Sequence, residues 1–272
     1  MLPPFDDTSR PPALEAFLIG QIAFDQALVL QQRIVEETRY RGDGQVTLLL
    51  CEHPPIVTVG RGGSPADVAL HNHLLRSRQL ETRWVNRGGG CLVHCLGQLA
   101  IYPIVPLRWH GFSVAEFLVR LQSGIVASLR ELNVSATTQP HTALQRVSLN
   151  DRTAESTGTS SPLPLGEGQG VRAASHDAVY GRTGQLAAIG VAVRDWITYY
   201  GAYLNVCPPT GLFRLVRSNP TDAAPMSCLV AERCGPMKMT AVRAALIAQL
   251  ADRLGCDRYH LYTGHPLLRR VS

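Results

Sequence analysis

The sequence predicts an α+β domain, in which helices flank a mixed sheet, from three observations. Short apolar segments typical of strands alternate with longer amphipathic segments typical of helices. Glycine- and proline-rich turns separate these segments, and proline cannot donate to a strand ladder. The 272 residues are also enough for a sizeable core. We therefore expect one domain over residues 16–272, with helices covering a mixed sheet.

Composition and charge argue against several classes of function. The formal net charge is +5 without a concentrated run of Lys or Arg, and the interleaved aromatic and basic residues of nucleic-acid binders are missing. No apolar run approaches the roughly 18 to 20 residues of a membrane span. Residues 1–10 lack the basic-then-apolar pattern of a signal segment. We expect a cytoplasmic protein that binds neither nucleic acid nor membrane.

The cysteine pattern argues against a metal site. Seven cysteines are scattered along the chain, and no two form a CxxC pair. Cys91-x3-Cys95 with His94 is similar to a metal-binding pattern, but no second pair is spaced to complete it. The odd count and the lack of a signal segment favour reduced thiols. We expect neither a metal nor another cofactor.

The first part of the chain predicts one helix and two strands. Residues 1–15 are expected to be a flexible lead, and 22–39 follow as an amphipathic helix that ends before Gly42. Residues 46–51 are apolar apart from one threonine, as expected of a strand buried on both faces. Two prolines stop that strand, and residues 56–59 then resume extended structure.

The middle of the chain predicts a second long helix. A short helical segment is expected within residues 66–80, and an extended run follows at 99–105. Ser113 and Glu116 have the spacing of a capping box, in which each side chain satisfies the backbone N–H of the other. The helix that they open should run to about Leu132.

Residues 146–179 differ from the rest of the chain, because Thr, Ser, Gly and Pro dominate there. Such a composition cannot bury enough apolar area to offset its ordering entropy, so we expect a disordered insertion within the domain. Strands should return at 186–193 and 196–206. Helices are expected to follow at 227–233 and 240–254, the latter with Thr240 as its N-cap.

A glycine-rich loop is the first candidate for function. Gly88, Gly89 and Gly90 follow Arg87, and a short apolar run then ends on His94. Glycine lets the backbone approach a ligand closely, and successive N–H groups can cradle an anion or a carbonyl. Arg87 would add a charged, forked donor beside the loop. The alternative is a glycine-rich hairpin whose histidine is satisfied within the core.

Three blocks of sequence carry a resemblance to one family. They are His53-Pro54-Pro55-Ile56-Val57-Thr58-Val59-Gly60; then Arg87-Gly88-Gly89 with His94, Gly97-Gln98-Leu99 and Tyr102-Pro103-Ile104; then Ala187-Ala188-Ile189-Gly190-Val191 with Trp196, Thr198, Gly201 and Leu204-Asn205-Val206. Together they resemble the lipoyl(octanoyl) transferases of the biotin/lipoate ligase superfamily. The resemblance covers roughly residues 24–232 outside the insertion, and it implies a biotin/lipoate ligase-like catalytic domain.

The resemblance also implies an activity and its partners. The family moves an octanoyl group from acyl carrier protein to a lysine of lipoyl domains, as in 2-oxoacid dehydrogenase or glycine-cleavage proteins. A cysteine carries the acyl group and a lysine acts as its acid/base partner, while the glycine loop approaches the acyl carbonyl. The substrate-binding positions that it implies here are Arg87, Gly88, Gly89, Gly90, Gly97, Gln98, Ala188, Ile189, Gly190 and Gly201.

Both catalytic residue types of the family are replaced in this sequence. Gln185 stands at the lysine position, and Ser218 stands at the cysteine position, between Arg217 and Asn219. Glutamine cannot titrate, so it cannot act as a general acid or base. A serine hydroxyl is far less ionised than a thiol and needs a strong base nearby. The signature segment that begins at His94 is altered as well.

Several readings therefore stay open. An active acyltransferase would use Ser218, Cys95 or Cys228 as nucleophile, with His94 as base or orienter. Lys238, the only lysine of the sequence, could reach the site from elsewhere. A binding protein would keep the acyl groove and docking surface without turnover, and a decaying gene product is a third reading. An ATP-dependent ligase is disfavoured, because no lysine follows the glycine loop to meet an acyl-adenylate.

Overall fold

Two sheets and five α-helices make up the residues that this computed structural model describes, 13–69, 80–138, 178–216 and 224–268. The helices are α1 (Phe24–Arg41), α2 (Pro65–Ala69), α3 (Val114–Glu131), α4 (Leu229–Arg233) and α5 (Met239–Arg253). The strands are β1 (Leu14–Gln21), β2 (Val46–Glu52), β3 (Ile56–Val59), β4 (Thr82–Trp84), β5 (Cys91–His94), β6 (Gln98–Ile104), β7 (Ala178–Tyr180), β8 (Gln185–Arg194), β9 (Ile197–Asn205) and β10 (Tyr259–Thr263). Short 3₁₀ helices cover Thr210–Leu215 and Pro266–Leu268.

The larger sheet is mixed, as predicted. Its seven strands follow the order β10-β1-β2-β6-β9-β8-β7. β1 is parallel to both of its neighbours, whereas every pairing from β2 to β7 is antiparallel. Helices α3 and α5 pack on one face, and α1 packs on the other. The predicted α+β class, with a mixed sheet flanked by helices, is therefore confirmed.

The capping box of α3 forms as the sequence predicts. The Ser113 Oγ accepts a hydrogen bond from the Glu116 N–H at 3.1 Å, and a Glu116 carboxylate oxygen accepts one from the Ser113 N–H at 3.0 Å. Asn133 ends the helical segment in a left-handed conformation with φ of 59°. Phe117, Leu121, Ile125 and Leu129 are buried along the inner face.

The smaller sheet places the glycine-rich loop. β3 lies between β4, to which it is parallel, and β5, to which it is antiparallel. Residues 85–90 connect β4 to β5. Val57, Val59 and Val93 of this sheet pack against Phe213 and Val216, which follow β9 in the chain. The smaller sheet is thereby held against the segment that leads out of the larger one.

Two predictions near the N-terminus are wrong. Leu14 and Glu15 belong to β1 and not to a flexible lead, because β1 pairs with β2 on one side and with β10 on the other. Helix α1 begins at Phe24, two residues later than predicted, because Ile22 donates its N–H to the Glu52 carbonyl oxygen. The rest of the predicted lead, residues 1–12, lies outside the described residues.

Two further boundaries need correction. Ala178 and Val179 form part of β7 and are buried, so they do not belong to the expected insertion; residues 146–177 lie outside the described residues. Helix α5 begins at Met239 with Lys238 as its N-cap, and no side chain caps it. The predicted N-cap Thr240 therefore lies inside the helix. Strand β10 was not predicted at all.

No helix within the described ranges combines the length and the apolar character needed to cross a membrane. This agrees with the absence of a long apolar run in the sequence.

Candidate functional site

The glycine loop is fixed at the junction of the two sheets. The turn after β3 donates to it three times, from the Gly60, Arg61 and Gly62 N–H groups to the carbonyl oxygens of residues 90, 87 and 89, at 3.0 to 3.1 Å. The Gly88 N–H donates to the Val191 carbonyl oxygen of β8 at 3.1 Å. The loop is therefore anchored to both sheets through its own backbone.

Two glycines make this approach possible. A Cβ at Gly190 would lie 2.5 Å from the Gly88 carbonyl oxygen, so β8 and the loop could not meet at this distance with a larger residue. Gly89 has φ of +78°, a conformation that other residues rarely adopt. Within the described residues, the N–H groups of Gly89 and Gly90 donate to no backbone carbonyl. These two amides are the part of the loop that can receive a carbonyl oxygen.

Arg87 does not present the free charged group that the sequence suggested. Its side chain is 1% exposed and points inward. Nη2 donates to the Thr58 hydroxyl at 2.8 Å and to the carbonyl oxygens of Thr58 and Gly90, and Nη1 donates to the Gly88 carbonyl at 2.9 Å. Burial lowers the pKa of this guanidinium. Arg87 thus holds the loop together from within.

His94 is fully buried, and both of its ring nitrogens are engaged. Nε2 lies 2.7 Å from the Thr58 hydroxyl, and Nδ1 lies 3.0 Å from the Gln98 side-chain oxygen. Burial, reinforced by His53 and Arg87, lowers the pKa of His94 well below its usual value, although the Gln98 hydrogen bond opposes this. The ring is therefore neutral. With no free nitrogen, it orients its neighbours and is not available as a base.

The same geometry excludes the hypothetical Cys95–His94 pair. Cys95 is 1% exposed, and burial raises the pKa of its thiol to about 11. Because both nitrogens of His94 are already bonded, its ring is not free to activate that thiol.

A second buried histidine lies beside the first and was missed as a site residue. His53 Nδ1 donates to the Ile22 carbonyl oxygen at 2.8 Å, and Nε2 accepts from the Tyr102 hydroxyl at 2.7 Å. Burial lowers the pKa of His53 to about 4. The Phe24 ring lies 5.3 Å from His53 and 5.4 Å from His94, between centroids. The sequence signal was a histidine directly after an apolar strand.

Gln185 begins β8 and is held by a short backbone ladder. Its N–H donates to the Pro225 carbonyl oxygen, and its own carbonyl accepts from the Ser227 N–H, both at 2.8 Å. Its side chain is 6% exposed, and Nε2 makes one long hydrogen bond of 3.3 Å to the Ala187 carbonyl oxygen. Ser218, the other position expected to be catalytic, lies outside the described residues.

Glu232 fixes the turn that precedes Gln185. Its carboxylate accepts the N–H groups of Arg182 and Thr183 at 2.8 Å and the Thr183 hydroxyl at 2.6 Å. Burial alone would raise the pKa of Glu232, but these hydrogen bonds lower it overall. The Thr183 hydroxyl also lies 2.6 Å from the Ser227 hydroxyl. The turn and residues 225–227 are thus joined.

The other predicted positions are distributed around this core. Ile189 and Gly190 lie against the loop, Ala188 pairs with Tyr203, and Gly201 pairs with Gly190 across β8 and β9. Gly97 lies in the turn between β5 and β6, where its N–H donates to Glu52. Gln98 joins His94 to Asn205, so it is a buried structural contact.

The remaining candidate side chains have distinct settings. Cys228 is 5% exposed and directly follows Ser227. Lys238 is exposed at the start of α5. The described residues contain no group of three or more His, Cys, Asp or Glu side chains placed to hold a metal ion.

Comparisons with known proteins identify the family of this chain. Residues 24–254 match the family model of the lipoyl protein ligase A/B catalytic domain. An octanoyltransferase of Geotalea uraniireducens is 30% identical over 233 residues, which cover 85% of this chain and 88% of that protein. An octanoyltransferase of Citrifermentans bemidjiense is 32% identical over 202 residues, 74% of this chain and 77% of that one.

Solved structures share the fold. A putative lipoate protein ligase of Thermoplasma acidophilum with bound lipoic acid has a TM-score of 0.61 at 15% identity, over 94% of this chain and 91% of that one. A lipoate-protein ligase A bound with ATP has a TM-score of 0.62 at 16% identity, over 94% and 90%. At this identity the likeness concerns the fold alone.

Proposed function

This chain belongs to the lipoyl protein ligase A/B catalytic domain family, and on that premise we propose that it transfers an octanoyl group from an acyl carrier protein to a lysine of a lipoyl domain. The observation that carries the proposal is the anchoring of the glycine loop against Gly190 of β8, the strand that Gln185 begins. The acceptors proposed are lipoyl domains of 2-oxoacid dehydrogenase or glycine-cleavage proteins. The cytoplasmic location expected from the sequence is part of the proposal.

The loop supplies the group that stabilises charge. The Gly89 and Gly90 N–H groups donate to no backbone carbonyl of the described residues. Donors fixed in advance, where charge develops on an acyl oxygen, typically contribute a large share of catalysis. We assign these two amides to the acyl carbonyl. Arg87, bonded to the Gly88 and Gly90 carbonyl oxygens, keeps them in place.

The nucleophile is Ser218 or Cys228. Its oxygen or sulfur attacks the thioester carbonyl, and the carrier thiol leaves with the proton, so an ester or thioester forms on the protein. The lysine amine of the lipoyl domain then attacks that carbonyl, an amide forms, and the proton returns to the side chain. Gln185 can donate or accept a hydrogen bond in this sequence, but it cannot move the proton.

A second candidate function is acyl or lipoyl-domain binding without turnover. It is favoured by Gln185, whose side chain bonds to no titratable group among the described residues, and by His94, whose ring nitrogens are both engaged. A site whose described side chains offer no free base can still bind an acyl group, because family membership does not fix activity.

Intact-mass analysis after incubation with octanoyl-carrier protein tests the proposal. Transfer predicts an adduct of one octanoyl group, and its loss on adding a lipoyl domain. Neutral hydroxylamine removes a thioester on Cys228 rapidly and leaves an ester on Ser218 in place. The matched variants Ser218→Ala and Cys228→Ala identify the nucleophile independently.

Three outcomes are distinguishable. An adduct supports transfer, whereas binding of the octanoyl-carrier protein without an adduct supports the second candidate. Absence of both an adduct and binding overturns the proposed function, provided that circular dichroism shows a folded protein.

A further inference from the structure

A continuous series of side-chain hydrogen bonds joins the glycine loop to the segment before Cys228. All of its side chains are nine-tenths or more buried. The contacts are Arg87 Nη2 to Thr58 Oγ1 at 2.8 Å, Thr58 Oγ1 to His94 Nε2 at 2.7 Å, His94 Nδ1 to Gln98 Oε1 at 3.0 Å, Gln98 Nε2 to Asn205 Oδ1 at 2.9 Å and Asn205 Nδ2 to the Ser227 carbonyl oxygen at 3.0 Å. We call this series the relay.

Every hydrogen bond of the relay is donated in the same direction, from Arg87 toward Ser227. Arg87 can only donate, so the Thr58 oxygen accepts from its Nε and Nη2. The Thr58 hydroxyl proton is then left for Nε2 of His94. Because Nε2 accepts, the ring proton lies on Nδ1 and is donated to the side-chain oxygen of Gln98. The tautomer of a buried histidine thus follows from the chemistry of an arginine two positions away in the relay.

The second half of the relay continues in the same direction. The Gln98 side-chain oxygen accepts the hydrogen bond from His94, so the Gln98 amide group donates to the Asn205 side-chain oxygen. The Asn205 amide group donates in turn to the Ser227 carbonyl oxygen. Ser227 is the residue whose N–H bonds to Gln185 and whose hydroxyl meets Thr183. The last donor of the relay therefore bonds to the segment 225–227, which lies beside Gln185.

We propose that Thr58 and Asn205 are positioning residues, which set the glycine loop in a fixed relation to residues 225–227 and Gln185 and thereby shape the acyl site. The claim that this site binds an acyl group rests on the proposed function, whereas the coupling between the glycine loop and residues 225–227 does not. Among the described contacts, neither residue bonds to the Gly89 or Gly90 amide, and both act through other residues of the relay. Their strands, β3 and β9, belong to different sheets, so the relay is also a link between sheets.

Burial makes the relay behave as a unit. Thr58, His94 and Asn205 are 0% exposed, so water cannot replace a lost partner. A buried donor or acceptor without a partner is costly, and neighbouring bonds strengthen one another at low dielectric. Removing one hydroxyl should therefore disturb groups at both ends.

Histidine nitrogen NMR tests the direction of the relay. In the unaltered chain, His94 should show a protonated Nδ1 and a hydrogen-bonded, unprotonated Nε2, with no titration between pH 6 and 8. Thr58→Val removes the hydroxyl at nearly constant shape and should shift Nε2 strongly. Thr58→Ser keeps the hydroxyl and should restore the signature. An unchanged Nε2 signal in Thr58→Val overturns the relay.

Amide hydrogen exchange tests the coupling without a ligand. Thr58→Val should speed exchange at the Ser227 N–H, and Asn205→Ala should speed exchange at the Gly88 N–H, each by roughly tenfold or more, since a hydrogen bond lost beside a charged group is worth that factor. Thr198→Val is the matched control, because the buried Thr198 hydroxyl bonds to Pro103 and Val105 outside the relay. Effects confined to the mutated end overturn the coupling.

Binding of octanoyl-carrier protein tests the positioning role. Thr58→Val and Asn205→Ala should each weaken it by roughly tenfold, by the same conversion, while Thr58→Ser and Thr198→Val should not. Unchanged binding in variants with altered exchange overturns the positioning role. If the unaltered chain fails to bind, the proposed function fails, and the exchange data still decide the coupling. Should Thr58→Val not fold, Asn205→Asp tests the same direction, because a carboxylate cannot donate to the Ser227 carbonyl.

Discussion

The candidate site has a loop side, formed by residues 87–90 and His94, and a strand side, formed by Gln185 at the start of β8. The two sides differ in how many hydrogen bonds hold their side chains. On the loop side, Arg87 makes five hydrogen bonds and His94 uses both ring nitrogens. On the strand side, the Gln185 side chain makes one hydrogen bond of 3.3 Å, to the Ala187 carbonyl oxygen. The loop side is thus fixed by many short hydrogen bonds, whereas the strand side has a weakly held side chain that cannot titrate.

The largest expected effect comes from placing a lysine and a cysteine at the two positions expected to be catalytic. The double variant Gln185→Lys/Ser218→Cys should raise octanoyl transfer to a lipoyl domain by about 10²-fold or more, because a positioned acid/base group typically contributes that much. Rates of amide formation measure it. Each single variant should gain little, since the thiol and the amine act as a unit. No gain in the double variant would mean that the loop side has also lost its function.

The next largest effect is expected from removing the hydrogen bonds that Arg87 makes on the loop side. Arg87→Met should lower the free energy of unfolding by about 3 kcal/mol or more, because it removes five hydrogen bonds that this buried side chain makes to Thr58, Gly88 and Gly90. Gln185→Leu, the matched change on the strand side, should cost less than about 1 kcal/mol. Urea unfolding of the two variants measures the difference. Equal losses would contradict the contrast between the two sides.

Lowering the pH should also destabilise the folded protein, through the buried histidines His53 and His94. The folded pKa of His53 is about 4, below its ordinary 6.5, and that of His94 is lowered in the same direction. Between pH 6.5 and 4 the unfolded chain binds more protons, so stability is complete above 6.5 and falls with pH, by about 1.4 kcal/mol per pH unit for each histidine. Thermal unfolding against pH should become less steep in His53→Asn. His260→Gln, on the exposed β10, is the control for replacing a histidine outside the core.

The smallest expected effect is the difference between alanine substitutions at two glycines, Gly88 of the loop and Gly190 of β8, which lie against each other where the two sheets meet. A Cβ on Gly190 would lie 2.5 Å from the Gly88 carbonyl oxygen, whereas one on Gly88 would find its nearest neighbour at an ordinary 3.6 Å. Gly190→Ala should therefore destabilise by about 1 to 3 kcal/mol, and Gly88→Ala by less than about 1 kcal/mol. Chemical denaturation checks both. A reversed order would show that the loop, and not β8, sets the contact.

Most of the fold was predictable because its signals are local. The capping box at Ser113 and the apolar run of β2 each lie within one short window, and both appear as expected. β1 and β10 were missed because they pair with each other from opposite ends of the sequence. No local pattern reports such a pairing.

The candidate site was predictable by position but not by orientation. The blocks that resemble the family located the glycine loop and Gln185. They could not show that Arg87 turns inward, or that Thr58, His94 and Asn205 form one series, because these residues come from β3, β5 and β9. The available signals were a polar residue within an apolar strand, as at Thr58 in β3, and a polar residue at the end of one, as at Asn205 in β9.

The position of β1 has a consequence for biosynthesis. One edge of this strand is covered by β2, the next strand along the chain, whereas among the described residues the other edge is covered by Tyr259–Thr263. At roughly 5–20 residues per second, a ribosome needs tens of seconds to deliver that partner. Until then the nascent chain carries an unpaired strand edge, the kind of surface that chaperones and aggregation compete for. A truncation before residue 259 would make this exposure permanent.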